Sequence, residues 1–176
     1  MKPESSHSHI RTRLAFAGAL SLGLLGVAHA DGKHTQPREV LPAYQQECES
    51  CHLAYPTRML PASSWHRIMG GLDQHYGSDA SLDAPTAEQI DAWLQAHAAT
   101  SRRASQPPPE DRITRSAWFE REHREIDPAV WQHASVKSAA NCAACHAGAA
   151  RGSFDDDRLR IPPGLDKRYQ RAFHDD

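Results

Sequence analysis

The sequence predicts an all-α protein built from short helices. Apolar residues in several segments recur at the spacing of an amphipathic helix, and no segment shows the alternation typical of a half-buried strand. A polar, proline-rich stretch at residues 101–111 interrupts these patterns and is interpreted as an extended linker. The expected organisation is a leader at residues 1–30, a helical lobe at 31–100, the linker, and a second helical lobe at 112–176.

The composition leaves little material for a hydrophobic core. Of the 176 residues, 39% are hydrophobic, 7% are aromatic and 12 are proline. Such a chain needs a staple, which can be a metal, a set of disulfides or a cofactor. The 20 Lys and Arg residues nearly balance the 22 Asp and Glu residues, and the net charge of −2 excludes a strongly basic nucleic-acid-binding protein.

The first 30 residues have the pattern of a secretory signal peptide. A positively charged start precedes an uncharged apolar run at residues 14–27, and Ala28-His29-Ala30 follows as a small-x-small cleavage site. The run is shorter than the roughly 20 apolar residues of a membrane-spanning helix. We therefore expect cleavage after Ala30 and a periplasmic location, where the oxidising environment would ordinarily favour disulfides.

All four cysteines lie in two strings of one pattern, Cys48-Glu49-Ser50-Cys51-His52 and Cys142-Ala143-Ala144-Cys145-His146. C-x-x-C-H is the attachment signature of c-type haem, because two thiols three positions apart can reach both vinyl groups of one porphyrin. The sequence therefore predicts two covalent haem c groups, bound through Cys48, Cys51, Cys142 and Cys145, with His52 and His146 as proximal iron ligands. A four-thiolate zinc site would leave the histidine after each second cysteine unexplained. A redox pair would call for a thioredoxin-type alternation of strands and helices, which the sequence does not show.

Six helices are expected along the chain. In the first half they span Val40 to Glu49, then a stripe from Trp65 to Tyr76 capped by Ser63 or Ser64, then a segment opened by the capping box Thr86-x-x-Gln89. In the second half they run from a cap at Thr114 to near Pro128, from Trp131 to Ala144, and from Asp166 to Phe173.

The sixth ligand of each iron decides between an electron carrier and a catalyst, because a histidine or methionine there closes the iron. For the first haem, His75 near the edge of an apolar helical stripe is the favoured metal ligand, with Met69 and His66 as rivals. For the second haem, His123 lies inside the only apolar stripe of its helix and is favoured over His133.

The chain resembles the dihaem cytochrome c family of bacterial periplasmic proteins. Besides the two haem strings, the resemblance is carried by Tyr55-Pro56, Leu60-Pro61-Ala62, Ser64-Trp65, His75-Tyr76-Gly77, Arg112-Ile113-Thr114, Trp118-Phe119, His123, Asn141 and Ile161-Pro162. It implies two low-spin haems with two histidine ligands each, His75 and His123 being the distal ones. It also implies electron exchange with a membrane b-type cytochrome or a small soluble haem protein. Tyr76 replaces the family's usual Phe.

These features favour an electron carrier over an enzyme. The alternative is a dihaem enzyme or gas-binding protein, of the peroxidase or nitrite-reducing type, with one open iron site. The chain is short for such an enzyme, and no distal acid–base residue identifies itself.

Overall fold

Six short α-helices provide most of the regular structure of residues 40–102 and 104–173, the part of the chain that this computed structural model describes. They are α1 (Pro42–Cys48), α2 (Ala62–Met69), α3 (Ala84–His97), α4 (Ala117–Glu122), α5 (Pro128–Gln132) and α6 (Lys167–Gln170). Single 3-10 turns occur at Thr57–Met59, Leu72–Gln74, Pro109–Asp111, Ile113–Arg115, Cys142–Ala144, Ala149–Arg151, Asp156–Arg158 and Arg171–Phe173. The described residues form no strand, only two isolated bridges. The all-α prediction is confirmed, whereas the predicted signal peptide lies outside the described residues.

Side-chain caps set the starts of α3 and α4. The Asp83 carboxylate accepts a hydrogen bond from the Thr86 amide at 3.1 Å, so α3 begins before the predicted start at Thr86. The Ser116 hydroxyl accepts from the Phe119 amide at 3.3 Å and caps α4, not Thr114 as predicted. The helix types were therefore correct, but their first residues were misplaced.

The predicted helix from Trp65 to Tyr76 is shorter in the structure. Helix α2 ends at Met69, where Gly70 and Gly71 follow, and residues 72–74 form a separate 3-10 turn. Glycine disfavours helix continuation because it loses more backbone entropy than other residues. The segment after α2 consequently turns back instead of extending the apolar stripe.

The predicted helix from Trp131 to Ala144 was wrong. Helix α5 stops at Gln132, and Lys137 has a left-handed φ of 71°. The Asn141 side-chain Nδ2 donates to the Val136 carbonyl at 2.9 Å. Polar side chains that bond nearby backbone groups compete with helical hydrogen bonds, and this stretch is dense in Ser and Asn.

The described residues belong to one compact unit with two separate clusters of buried residues. The first cluster comprises Tyr44, Ala54, Leu60, Trp65, Ile90, Leu94 and Ala98. The second comprises Val130, Val136, Ala144 and Leu165. Ile113, from beyond the predicted linker, packs on the first cluster. The division into two lobes at residues 101–111 remains a prediction.

None of the helices in the described ranges combines the length and apolar character that crossing a bilayer requires.

Candidate haem sites

The first C-x-x-C-H motif places its histidine opposite His75. Helix α1 ends at Cys48, and the chain then turns through Cys51 to His52. The rings of His52 and His75 face each other with centroids 6.0 Å apart and planes inclined by 20°. The structure therefore brings together the proximal histidine and the favoured distal candidate of the first site.

A tight turn, not a helix, presents His75. The Ser78 amide donates to the His75 carbonyl at 3.1 Å. The two central residues, Tyr76 and Gly77, have φ values of 51° and 96°, as in a type I′ turn. A positive φ is unusual for a tyrosine. The backbone of this turn is therefore strained at the residue next to the candidate ligand.

Contacts from the end of the predicted linker and from the residue that follows it hold this turn. The Tyr76 hydroxyl donates to the Glu110 carbonyl at 3.1 Å, and the Arg112 guanidinium lies 4.2 Å from the Tyr76 ring centroid. Asp111 accepts hydrogen bonds of 2.6 and 2.8 Å from Arg67 of α2. These bonds fix the position of the turn that carries His75.

The second motif places its histidine opposite His123. The ring centroids of His123 and His146 are 6.1 Å apart, with planes inclined by 76°. His123 follows the last residue of α4, and its ring stacks on Phe119 at 4.0 Å. On the other side, Phe154 lies 5.5 Å from the His146 ring. The second pair is thus enclosed by aromatic side chains.

A segment distant in sequence supports the second motif. The Arg160 amide donates to the Cys145 carbonyl at 2.7 Å, and the Arg160 guanidinium donates to the Ala143 carbonyl at 2.6 Å. Leu159 forms an isolated bridge with His146. The loop of this motif is therefore held by main-chain pairing.

Both separations match two imidazoles that share one metal ion. An imidazole nitrogen binds a metal at about 2 Å and lies about 1 Å from its ring centre, so two rings on opposite sides of one ion have centres about 6 Å apart. The observed distances are 6.0 Å for His52 and His75 and 6.1 Å for His123 and His146. The donor set at each motif therefore fits a haem iron.

The outer nitrogens of the rings support the same interpretation. The Nδ1 atoms of His52 and His123 lie 2.7 and 2.9 Å from the carbonyl oxygens of Leu53 and Phe119. Donation from Nδ1 leaves the Nε2 lone pair for a metal. The Nδ1 of His146 is buried without a hydrogen-bond partner among the described residues.

Burial lowers the pKa of one histidine at each motif. Burial, and then the neighbouring His52, lowers the pKa of His75, while burial and His123 lower the pKa of His146. A neutral imidazole is the form that binds a metal. Before haem attachment, burial raises the pKa values of the free Cys48 and Cys142 thiols to about 11. All four cysteines are free of disulfides.

The rival ligands have other partners. The His66 Nδ1 lies 2.9 Å from Asp91 on the exposed side of α2, and Met69 packs against the first core cluster. The His133 Nδ1 lies 2.7 Å from the Ser135 hydroxyl. None of these three is recorded next to a motif histidine in the described part of the chain.

Two supporting residues at the sites escaped the sequence analysis. Arg160 bonds the second motif from 17 positions away, and no sequence signal identifies it. The Tyr55 ring lies 5.0 Å from the His52 ring. In the sequence analysis, Tyr55 appeared only as part of the family resemblance. Its position three residues after His52 could have indicated a contact with that histidine.

Comparisons with known proteins show the family to which the chain is similar. The family model described as dihaem cytochrome c matches residues 44–154. A dihaem cytochrome c structure from Shewanella baltica OS155 is 38% identical, with a TM-score of 0.61, over 70% of this chain and 94% of that chain. A dihaem cytochrome c structure from Rhodobacter sphaeroides is 40% identical, with a TM-score of 0.60, over 69% of this chain and 100% of that chain.

A further Rhodobacter sphaeroides structure is 44% identical, with a TM-score of 0.57, over 64% of this chain and 96% of that chain. A search among curated proteins finds no match. The family match covers more than half of the chain and includes both motifs. The chain therefore belongs to the dihaem cytochrome c family and carries two covalently attached haem c groups.

Proposed function

We propose that this chain is a periplasmic electron-transfer protein in which each haem iron is held between two histidines. The thioether bonds would form at Cys48 and Cys51 for the first haem and at Cys142 and Cys145 for the second. The ligand pairs would be His52 with His75 and His123 with His146. The observation that carries this proposal is the neighbouring pair of imidazoles, with ring centroids about 6 Å apart, at each motif.

The bound haem supplies a reversible one-electron change at its iron. The protein's part is to hold both imidazoles in place, so that no ligand moves when the charge changes. The carbonyl partners of His52 and His123 orient their rings. Ligation by two histidines favours a lower potential than ligation by histidine and methionine, because methionine raises it.

The location and partners are part of the same proposal. The predicted signal peptide would direct the chain to the periplasm. Cys51 and His52 are exposed, which leaves an edge of the first site open to a docking protein. A membrane b-type cytochrome or a small soluble haem protein would suit this role, through the small and transient contact typical of redox encounters.

Spectroscopy of the purified protein tests the proposal. We expect two haems per chain by the pyridine haemochrome assay and two low-spin irons by electron-spin resonance. His75→Ala and His123→Ala should each convert one iron to a high-spin or ligand-binding form. The matched controls His66→Ala and His133→Ala should leave both irons low-spin. Low-spin spectra in both ligand variants would contradict the assignment.

Carbon monoxide separates the carrier from the enzyme. A reduced protein whose irons both keep two histidines binds carbon monoxide slowly or not at all at neutral pH, because no coordination position is open. Rapid binding to one iron of the wild-type protein would favour the peroxidase or nitrite-reducing type of activity.

A further inference from the structure

Tyr55 contacts both haem sites. Its ring lies 5.0 Å from the His52 ring in the first site, inclined by 30°. Its hydroxyl donates to the Ala140 carbonyl at 2.8 Å, across 85 positions of sequence, just before the second motif. It therefore bridges a proposed iron ligand of one site and the loop that leads into the other.

The Ala140 carbonyl is a shared acceptor. Besides the Tyr55 hydroxyl, it accepts from the Cys142 amide at 3.0 Å and lies 3.6 Å from the Cys142 Sγ. Cys142 is a haem attachment residue in the proposed function. A continuous series of contacts thus runs from the His52 ring through the phenol and one carbonyl to the Cys142 thiol.

The Tyr55 main chain is also anchored. Its carbonyl accepts a 2.7 Å hydrogen bond from the hydroxyl of Tyr44, a residue of the first core cluster that is 3% exposed. The Tyr55 side chain packs on the same cluster. The bridging ring is therefore held from both its backbone and its hydroxyl, and its position is well defined.

We propose that Tyr55 is the positioning residue for electron exchange between the two haems. This inference rests on the proposed function. One electron passes from the reduced site to the oxidised site, so that one iron loses the electron that the other gains. The phenol keeps its proton throughout, and no bond is made or broken. The Tyr55 hydroxyl holds the loop before the second motif through Ala140, while the Tyr55 ring lies against His52. In this way Tyr55 keeps the two sites at a fixed distance.

The test compares Tyr55→Phe with Tyr44→Phe in the holoprotein. Each variant removes one phenol hydroxyl that donates to a backbone carbonyl, but only Tyr55→Phe breaks the link to Ala140. The exchange rate is measured in half-reduced protein from the broadening of haem methyl proton resonances. We expect Tyr55→Phe to slow exchange by about two- to tenfold, the factor that corresponds to one hydrogen bond between uncharged groups. Tyr44→Phe should lower stability and slow exchange less than Tyr55→Phe does, because the hydrogen bond from Tyr55 to Ala140 remains.

The outcomes separate this inference from the proposed function. Wild-type protein must first show two low-spin irons, and failure at that point overturns both. With that established, an unchanged rate in Tyr55→Phe overturns the inference alone, as does equal slowing in Tyr44→Phe. A changed electron-spin resonance spectrum in Tyr55→Phe also overturns it, because the residue would then act on the ligation of His52 instead of on the link between the sites.

Discussion

Replacing Gly77 by alanine should strain the backbone of the turn that presents His75. A Cβ added at Gly77 would meet no atom within 4 Å, so no steric clash contributes. The φ of 96° is a conformation that alanine rarely adopts, and the left-handed backbone costs a residue with a Cβ about 1–2 kcal/mol. We expect Gly77→Ala to lower the free energy of unfolding by about that amount.

The same strain should weaken the hold of His75 on its iron. If the turn relaxes when His75 leaves, the affinity of the reduced protein for carbon monoxide should rise by about 5–30-fold, the factor that corresponds to 1–2 kcal/mol. Urea unfolding and carbon monoxide titration measure the two effects. Gly71→Ala is the matched control, because its φ is −128° and its Cβ would make only an ordinary 3.5 Å contact. Equal losses in both variants, or none in Gly77→Ala, would refute the reasoning.

Three further predictions concern the elements around the sites. Ile90→Ala should lower the free energy of unfolding, measured by urea unfolding, by about 2–5 kcal/mol, because Ile90 is 0% exposed. The control Glu88→Ala, at an exposed neighbouring position, should change it by no more than about 0.5 kcal/mol. Similar losses in the two variants would contradict the assigned core. Ser116→Ala should lower the free energy of unfolding by about 1 kcal/mol in the same assay, because it removes the side-chain cap of α4. A variant as stable as the wild type would show that the cap is dispensable. Hydrogen bonding to Arg67 lowers the pKa of Asp111 below the usual 3.8. The stabilisation from the Arg67–Asp111 pair should be complete at neutral pH and should disappear as the pH falls below 3.8 and through the lowered pKa. Wild type and Asp111→Asn should therefore differ in free energy of unfolding at neutral pH and unfold alike in acid. A difference between them that persists in acid would contradict this assignment.

Local chemistry explains what could be predicted from the sequence. The C-x-x-C-H strings need only five consecutive residues, so the haem groups followed directly, and the fold class followed from the helical spacing of the apolar residues. His123 was placed on the apolar stripe with Phe119, and the two rings do stack. For these features the determining contacts lie within one or two helical turns.

Contacts between distant segments explain what could not be predicted. His75 was chosen from a helical stripe, yet it lies on a turn whose Tyr76 has a positive φ and is held by Glu110 and Arg112. No propensity predicts a left-handed tyrosine, because the contacts that stabilise it come from 34 or more positions away. The ligand role of His75 stays a prediction, although its position opposite His52 suits that role.

The different inclinations of the two imidazole pairs, 20° in one site and 76° in the other, have a spectroscopic consequence. Nearly parallel imidazole planes split the iron dπ orbitals that lie along and across them, whereas nearly crossed planes leave those orbitals close in energy. If both proposed pairs bind iron, two centres with the same kinds of donor atom would then give distinct g-tensors, one rhombic and one strongly axial. In the half-reduced chain, the shape of the electron-spin resonance signal would therefore show which iron carries the unpaired electron.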